Sequence, residues 1–198
     1  MRVAVVDSGA NFASVRAALA RCNANFMLTH DADELRNASH VILPGVGNVG
    51  DSWSRLEAYG LLDTIAALTQ PVLGICVGMQ LMFEHCEEAG RDTLGIFDGR
   101  VSHLKATPAE RVPHCGWNQI DVTRSTPLTD TLGQRDNDYV YFVHSFAAQL
   151  TDQTLATATH GDTFTAAVAH NNFYGVQFHP ERSAQPGQAW LRAFLAMT

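Results

Sequence analysis

The stretch PVLGICVGMQLMFEH, residues 71–85, runs from a short apolar segment through Gly-Ile-Cys-Val-Gly into further apolar sequence. The segment PVLGI has the composition of a buried strand, and a helix is predicted to begin near Val77. The glycines at positions 74 and 78 let neighbouring backbone approach where a Cβ atom would collide. The pattern therefore predicts a strained strand-to-helix turn that presents Cys76 above the edge of a sheet.

Upstream of this turn, apolar β-rich segments alternate with helical segments. The predicted strands are RVAVVD (2–7), NFMLTH (25–30) and HVILPG (40–45). The predicted helices are SVRAALARC (14–22), DADELRN (31–37) and DSWSRLEAYGLLDTIAAL (51–68), the last interrupted near Gly60. This alternation favours a doubly wound parallel sheet flanked by helices.

Downstream of this region the pattern changes to short β-rich segments. They are GRVSHL (99–104), NQIDVT (118–123), DYVYFV (138–143), TLATAT (154–159), FTAAVA (164–169) and FYGVQF (173–178). Several could pair antiparallel, and QPGQAWLRAFLAM (185–197) is predicted to be an amphipathic helix. With no Pro/Ser-rich linker and no internal repeat, the sequence predicts one α/β domain over residues 1–198. Its central sheet is predicted to be mixed but mostly parallel, with a small antiparallel β addition.

Composition and charge exclude several classes of protein. The net charge is −7 and no Lys/Arg cluster is present, so nucleic-acid binding is not predicted. The N-terminus does not resemble a signal peptide, and no apolar run reaches the roughly 18 residues of a membrane span. The four cysteines have no CxxC spacing, which favours free thiols in a reducing cytoplasm.

The segment YGVQFHPERS, residues 174–183, supplies partners for a nucleophilic cysteine. A thiol nucleophile needs a base, and the base needs a group that orients it. Pro180 favours an extended chain, in which His179 and Glu181 project to the same side. Alternatively, Cys76 is a small core residue and the histidine and glutamate are solvated polar groups. Because both motifs follow apolar β segments, they are expected to open onto one edge of the sheet, where open α/β folds bind ligands.

The motifs GICVGMQ (74–80) and HPE (179–181) resemble those of the class I glutamine amidotransferases. The resemblance implies a flavodoxin-like sheet and a catalytic triad of Cys76, His179 and Glu181. It also implies that Cys76 attacks the side-chain amide of glutamine, releases ammonia and forms a glutamyl thioester that water hydrolyses. No metal and no organic cofactor are implied.

The segment LPGVGNVGDS (43–52) is similar to the oxyanion loop of that family. By this resemblance the backbone N–H groups near Val46 and Val77 stabilise the oxyanion, and the PGVG peptide can turn away until a partner engages. The positions that match glutamine-binding residues are Gly47, Gln80, Ser145 and Phe146. Phe146 stands where relatives usually have tyrosine, so any hydroxyl contact is lost there. From spacing alone, Gln80 lies one helical turn beyond Cys76, so it could face the same pocket, or equally well face the core or solvent.

The PGVG form and the segments VPHCGWN (112–118), LGIFDGRV (94–101) and YVYFVHSF (139–146) resemble one branch of the family. Members of this branch are glutaminase subunits that pass ammonia to a separate (β/α)8-barrel cyclase. The resemblance therefore implies a heterodimer. The residues expected to face the barrel are Trp117, Asn118, Tyr141 and Arg182.

Three other functions remain open: a glutaminase subunit of another synthase, a cysteine hydrolase of another amide or ester, and a non-catalytic flavodoxin-like binding module. The densest group of potential metal ligands is EHCEE, residues 84–88. It is predicted to lie at the end of a helix as a solvated face, and it lacks zinc-site spacing.

Overall fold

The structure is a computed structural model that describes residues 2–9, 12–108, 110–132 and 139–198. The strands are β1 Val3–Val6, β2 Phe26–Thr29, β3 His40–Gly45, β4 Val72–Cys76, β5 Phe83–Cys86, β6 Arg91–Asp92, β7 Phe97–His103, β8 His114–Gln119, β9 Asp121–Val122, β10 Tyr139–His144, β11 Phe146–Ala148, β12 Thr154–His160, β13 Asp162–His170 and β14 Phe173–Val176. The helices are α1 Ala13–Arg21, α2 Ala32–Arg36, α3 Val49–Ala58, α4 Leu62–Ala66, α5 Val77–Gln80 and α6 Ala184–Leu195. None of the helices in these ranges is long and apolar enough to cross a membrane.

An eight-stranded sheet in the order β2-β1-β3-β4-β14-β13-β12-β9 forms the centre of the molecule. The strands from β2 to β14 in this order run parallel, and β13, β12 and β9 continue the sheet antiparallel. Every residue of β1, β3 and β4 is buried, as expected for parallel strands covered on both faces. The predicted mixed, mostly parallel sheet is confirmed.

Two smaller sheets lie outside the central one. Strands β8 and β10 form an antiparallel two-stranded ribbon, and four strands pair in the order β11-β7-β5-β6. The predicted β addition is therefore present, although its β5 and β7 strands pair parallel rather than antiparallel.

Most of the predicted elements occur close to their predicted positions. The long helical segment breaks at Gly60, whose φ of +67° interrupts the chain between α3 and α4. The predicted strand NQIDVT is divided between β8 and β9, with Ile120 between them. Ala10 and Asn11 of the predicted first turn and Asp138 of the predicted strand DYVYFV lie outside the described residues.

The helix predicted after Cys76 is much shorter than expected. Helix α5 has one turn, and the chain then enters strand β5. The prediction that EHCEE ends a helix is therefore wrong, because Glu84 to Cys86 belong to this strand. The physical reason is tertiary pairing: Phe83 is fully buried, packs against the ring of Phe97 and pairs with β7. The apolar sequence of this stretch permits either a helix or a strand.

Candidate active site

Cys76 lies at the carboxyl end of β4, where the chain turns into α5. Its φ of 52° and ψ of −110° are sparsely populated for any residue with a Cβ atom, at a cost of about 1–3 kcal/mol. A Cβ atom on Gly78 would lie 1.8 Å from the carbonyl oxygen of Leu43, and one on Gly74 would lie 2.7 Å from that of Gly78. The close backbone approach predicted for the two glycines is thus confirmed.

His179 follows β14, the strand that pairs with β4 and therefore carries the chain to the same edge of the sheet. Its backbone N–H donates to the carbonyl oxygen of Tyr141 at 2.9 Å. The buried hydroxyl of Ser183 donates to the carbonyl oxygen of His179 at 2.7 Å and accepts from the N–H of Tyr141 at 2.9 Å. Ser183 thus fixes the His179 backbone against strand β10.

The imidazole of His179 and the carboxylate of Glu181 form a buried pair. The distance from His179 Nδ1 to Glu181 Oε1 is 2.8 Å, and the side chains are 2% and 5% exposed. Burial lowers the pKa of His179, but Cys76 and Glu181 raise it by more, so that the pKa rises to about 10. The second ring nitrogen of His179, Nε2, is buried and has no hydrogen-bond partner among the residues that the structure describes. The ring can therefore carry a proton between the sulfur and a ligand.

A cavity of about 420 Å³ contains most of the predicted site residues. Those that line it are Val46, Gly47, Cys76, Val77, Gln80, Ser145, Phe146, His179, Glu181 and Arg182. The structure adds Ser14, Glu88, Pro113, Val143 and His144 to the lining. A cavity of this size is in the range of small-molecule sites.

Two glutamines connect the cavity wall to the sulfur. The Nε2 of Gln80 donates to the carbonyl oxygen of Phe146 and to the Oε1 of Gln177, both at 2.9 Å. The Nε2 of Gln177 in turn donates to Cys76 Sγ at 3.6 Å. Sequence reasoning missed Gln177, which directly follows strand β14 and lies two residues before His179.

The predicted oxyanion loop is fixed on both sides of its tip. Before the tip, Ser8 Oγ donates to the carbonyl oxygen of Pro44 at 2.6 Å. After the tip, the Asn48 side chain caps α3, and the carboxylate of Glu88 accepts the N–H of Val49 at 2.8 Å. Between these anchors, Val46, which is 44% exposed, and Gly47, with a φ of +92°, protrude into the cavity mouth.

The four residues predicted to face a partner are not all on one surface. Trp117 is 53% exposed on β8, Tyr141 pairs with it across the ribbon, and the Arg182 guanidinium lies 6.0 Å from the Tyr141 ring. Asn118 lies on the opposite face of β8, because successive side chains of a strand alternate. Its amide donates to the carbonyl oxygen of Thr159 at 2.8 Å. Asn118 is therefore engaged within the chain.

Acidification is expected to destabilise the fold through His144, which lies beside the cavity. Burial lowers its pKa from 6.5 to about 3. Since the unfolded chain then binds the proton first, the stability from the neutral ring is complete above pH 6.5 and is lost as the pH falls towards 3. The loss by pH 5 is about 2 kcal/mol. Urea unfolding at neutral and acidic pH measures it, and His144→Asn should lose less. Equal pH dependence in the two proteins contradicts the expectation.

Comparison with known proteins identifies relatives along the whole chain. Residues 4–197 match the family described as Glutamine amidotransferase class-I. The chain is 46% identical over 196 residues to imidazole glycerol phosphate synthase subunit HisH 2 of Legionella pneumophila (strain Paris), with 98% of each chain covered. It is 42% identical over 199 residues to imidazole glycerol phosphate synthase subunit HisH of Idiomarina loihiensis, covering 100% of this chain and 99% of the relative.

A solved structure supports the fold. It is described as a glutamine amidotransferase, and the two chains share a TM-score of 0.75 at 18% identity. The likeness covers 98% of this chain and 96% of the other. It confirms the predicted α/β class.

Proposed function

This chain belongs to the class I glutamine amidotransferase family, and from that premise we propose that it is the glutaminase subunit of an imidazole glycerol phosphate synthase in histidine biosynthesis. The resemblance of its GICVGMQ and HPE motifs to that family is confirmed. The observation that carries the chemistry is the buried His179–Glu181 pair, which lines the same cavity as Cys76 on its strained turn.

Glutamine hydrolysis proceeds in two stages at this site. In the first, Cys76 Sγ attacks the side-chain amide carbon, and His179 transfers the thiol proton to the leaving nitrogen as the C–N bond breaks. Ammonia leaves and a glutamyl thioester remains. In the second, His179 removes a proton from water, which attacks the thioester and releases glutamate and the thiol. Glu181 holds His179 Nδ1, so that Nε2 faces the reacting atoms.

The backbone N–H groups of Val46 and Val77 are proposed to receive the negative charge that develops on the amide oxygen. Donors that act in this way lie about 3 Å from the oxyanion, and the loss of one costs roughly 3 kcal/mol. Both residues line the cavity, and Val77 directly follows the nucleophile. Gly47, Gln80, Ser145 and Phe146 form the remainder of the proposed glutamine pocket.

Glu88 is the group best suited to bind the α-ammonium of the substrate. Among the described residues, the glutamates that line the cavity are Glu88 and Glu181, and Glu181 is engaged with His179. Glutamine carries its positive charge on the α-amino group, and a carboxylate is its natural partner. The sequence analysis interpreted EHCEE as a solvated face and did not predict this role for Glu88. Glu88 lies just after strand β5, which ends at Cys86, and it lines the cavity.

Changing Glu88 to glutamine is expected to raise the KM for glutamine by about 10- to 100-fold with little change in kcat. The variant keeps an acceptor for the Val49 N–H and removes only the charge. Steady-state glutamate release measures both constants. Glu87→Gln is the matched control, because Glu87 accepts from the His103 N–H at 3.0 Å and does not line the cavity. An unchanged KM in Glu88→Gln contradicts the assignment.

The partner is a (β/α)8-barrel cyclase subunit that receives the ammonia in a heterodimer. The apolar, exposed surface of the β8–β10 ribbon, with Trp117 and Tyr139, is the proposed docking surface. Large exposed aromatic side chains mark such interfaces. We also propose a cytoplasmic location, because Cys22, Cys76, Cys86 and Cys115 are all free thiols.

The test is glutamate release by this chain alone and with the barrel cyclase and its nucleotide ligand. Strong activation in the complex supports the assignment. Full activity without a partner points to another synthase or a free-standing amidase. Absence of activity in both settings supports a binding module.

A further inference from the structure

A line of buried hydrogen bonds connects strand β8 with the proposed glutamine pocket. His114 Nδ1 and His144 Nε2 are 2.9 Å apart, and His144 Nδ1 lies 2.8 Å from the carbonyl oxygen of Phe146. At the other end, Asn118 Nδ2 lies 3.3 Å from His114 Nε2. We propose that His114 and His144 form a relay of fixed tautomers that positions the Ser145–Phe146 segment for glutamine binding, an inference that rests on the proposed function.

The direction of every bond in this relay follows from its two ends. A carbonyl oxygen can only accept, so His144 Nδ1 carries the proton that is donated to Phe146. In the neutral ring His144 Nε2 is then an acceptor, and His114 Nδ1 must donate to it. His114 Nε2 accepts from the Asn118 amide, whose other hydrogen goes to Thr159. Only this assignment of donors and acceptors satisfies every hydrogen bond of the relay.

The surroundings of both rings keep them neutral. His114 is 4% exposed and His144 is 7% exposed, and both contact the rings of Phe142 and Phe164. Burial lowers the pKa of His114 to about 4. Protonation of His144 would place two N–H donors against each other between His114 and His144. Protonation of His114 would place two N–H donors against each other between His114 Nε2 and the Asn118 amide. The relay therefore needs both rings uncharged.

The segment that the relay holds joins two separate sheets. Strand β10 pairs with β8 and ends at His144, whereas β11 pairs with β7 and begins at Phe146. The carbonyl oxygen of Ser145 accepts from the Leu104 N–H at 2.9 Å. The carbonyl oxygen of Phe146 accepts from both His144 and Gln80. The backbone at the junction is thus fixed from two sides.

Gln80 extends the effect of the relay to the nucleophile. Both hydrogens of its amide are donated within the chain, one to Phe146 and one to Gln177, which contacts Cys76 Sγ. A shift of the Phe146 carbonyl therefore moves an acceptor that orients Gln80. His114 and His144 act through these groups and are positioning residues.

The first test compares two replacements of His144 in the complex with the cyclase. Asparagine can place its amide nitrogen near the Nδ1 position and keep the bond to Phe146, whereas glutamine reaches the Nε2 position and keeps only the bond to His114. His144→Gln is expected to raise the KM for glutamine by about 10-fold or more, and His144→Asn by less than about 3-fold. Both should have similar urea midpoints. Equal KM values in the two variants would overturn the proposal.

The second test uses the unmodified protein and needs no activity. Nitrogen-15 NMR of the histidine rings should show the Nδ1–H tautomer for both His114 and His144, the form that free histidine adopts less often. An Nε2–H tautomer or a charged ring at neutral pH in either residue overturns the relay. If the wild-type complex releases no glutamate, the proposed function is refuted. The NMR measurement of the two tautomers tests the relay separately, because it does not depend on activity.

Discussion

Replacing Cys76 by alanine is expected to reduce glutamate release by about 10⁴-fold or more, both alone and in the complex with the cyclase. Among the residues that the structure describes, no other thiol lines the cavity, and without the sulfur His179 has no nucleophile to activate. The fold should survive, because alanine keeps the Cβ atom and fits where cysteine does. Partner binding is expected to be unchanged.

The strained backbone at this position allows a sharper design. With a φ of 52°, Cys76 adopts a conformation that glycine tolerates better than any residue with a Cβ atom. Cys76→Gly should therefore be as inactive as Cys76→Ala but more stable by about 1 kcal/mol in urea unfolding. Cys22→Ala is the control for the loss of a thiol elsewhere. Glutamate release by Cys76→Ala near the wild-type rate would refute the nucleophile assignment.

Replacing Gly78 by alanine is expected to destabilise the protein by about 3 kcal/mol or more and to abolish glutamate release. The new Cβ atom would lie 1.8 Å from the carbonyl oxygen of Leu43, and backbone cannot move aside as the end of a flexible side chain can. Strand β3 and helix α5 would have to separate. That contact also positions the Val46 loop beside Cys76.

Urea unfolding followed by circular dichroism measures this effect. Gly90→Ala is the control for backbone strain without close packing, because Gly90 has a φ of +60° and nothing lies within 4 Å of an added Cβ among the described residues, whereas Gly78 is not among the glycines with positive φ. It should cost only about 1 kcal/mol. If the two variants are equally stable, close packing is not the reason for glycine at position 78.

The elements that local sequence defines were predicted well. Asp31 caps α2 through its side-chain oxygen at the predicted start of that helix, and the glycine at position 60 ends α3, although α3 begins at Val49, two residues before its predicted start. The Cys76 turn could be located because its requirement for small neighbours is visible within five residues. His179 and Glu181 do lie together as the HPE motif predicts, but the expected extended chain is wrong: Pro180–Arg182 form a 3₁₀ turn, and this turn brings the carboxylate to the ring.

Features that depend on distant partners could not be predicted. Strand β5 is strand only because β7 lies beside it. The contact of Gln177 with Cys76 joins residues 101 positions apart, and that of Glu88 with Val49 joins residues 39 positions apart. Asn118 and Trp117 are neighbours in sequence, but the pleat of β8 sends them to opposite faces. A local sequence pattern does not show which distant residues will be in contact.

Strand β14 lies in the middle of the central sheet, between β4 and β13, yet it comes from residues 173–176 near the end of the chain. During synthesis on the ribosome, β4 and its Cys76 turn emerge long before the strand that covers them. The nascent chain thus exposes an unpaired strand edge, which is a hazard for association with other chains. It also lacks the proposed base, His179, and the carboxylate of Glu181, because both follow β14. The last strand of the parallel part of the sheet and the proposed base therefore arrive together, and a chain that stops before His179 is expected to hydrolyse no glutamine.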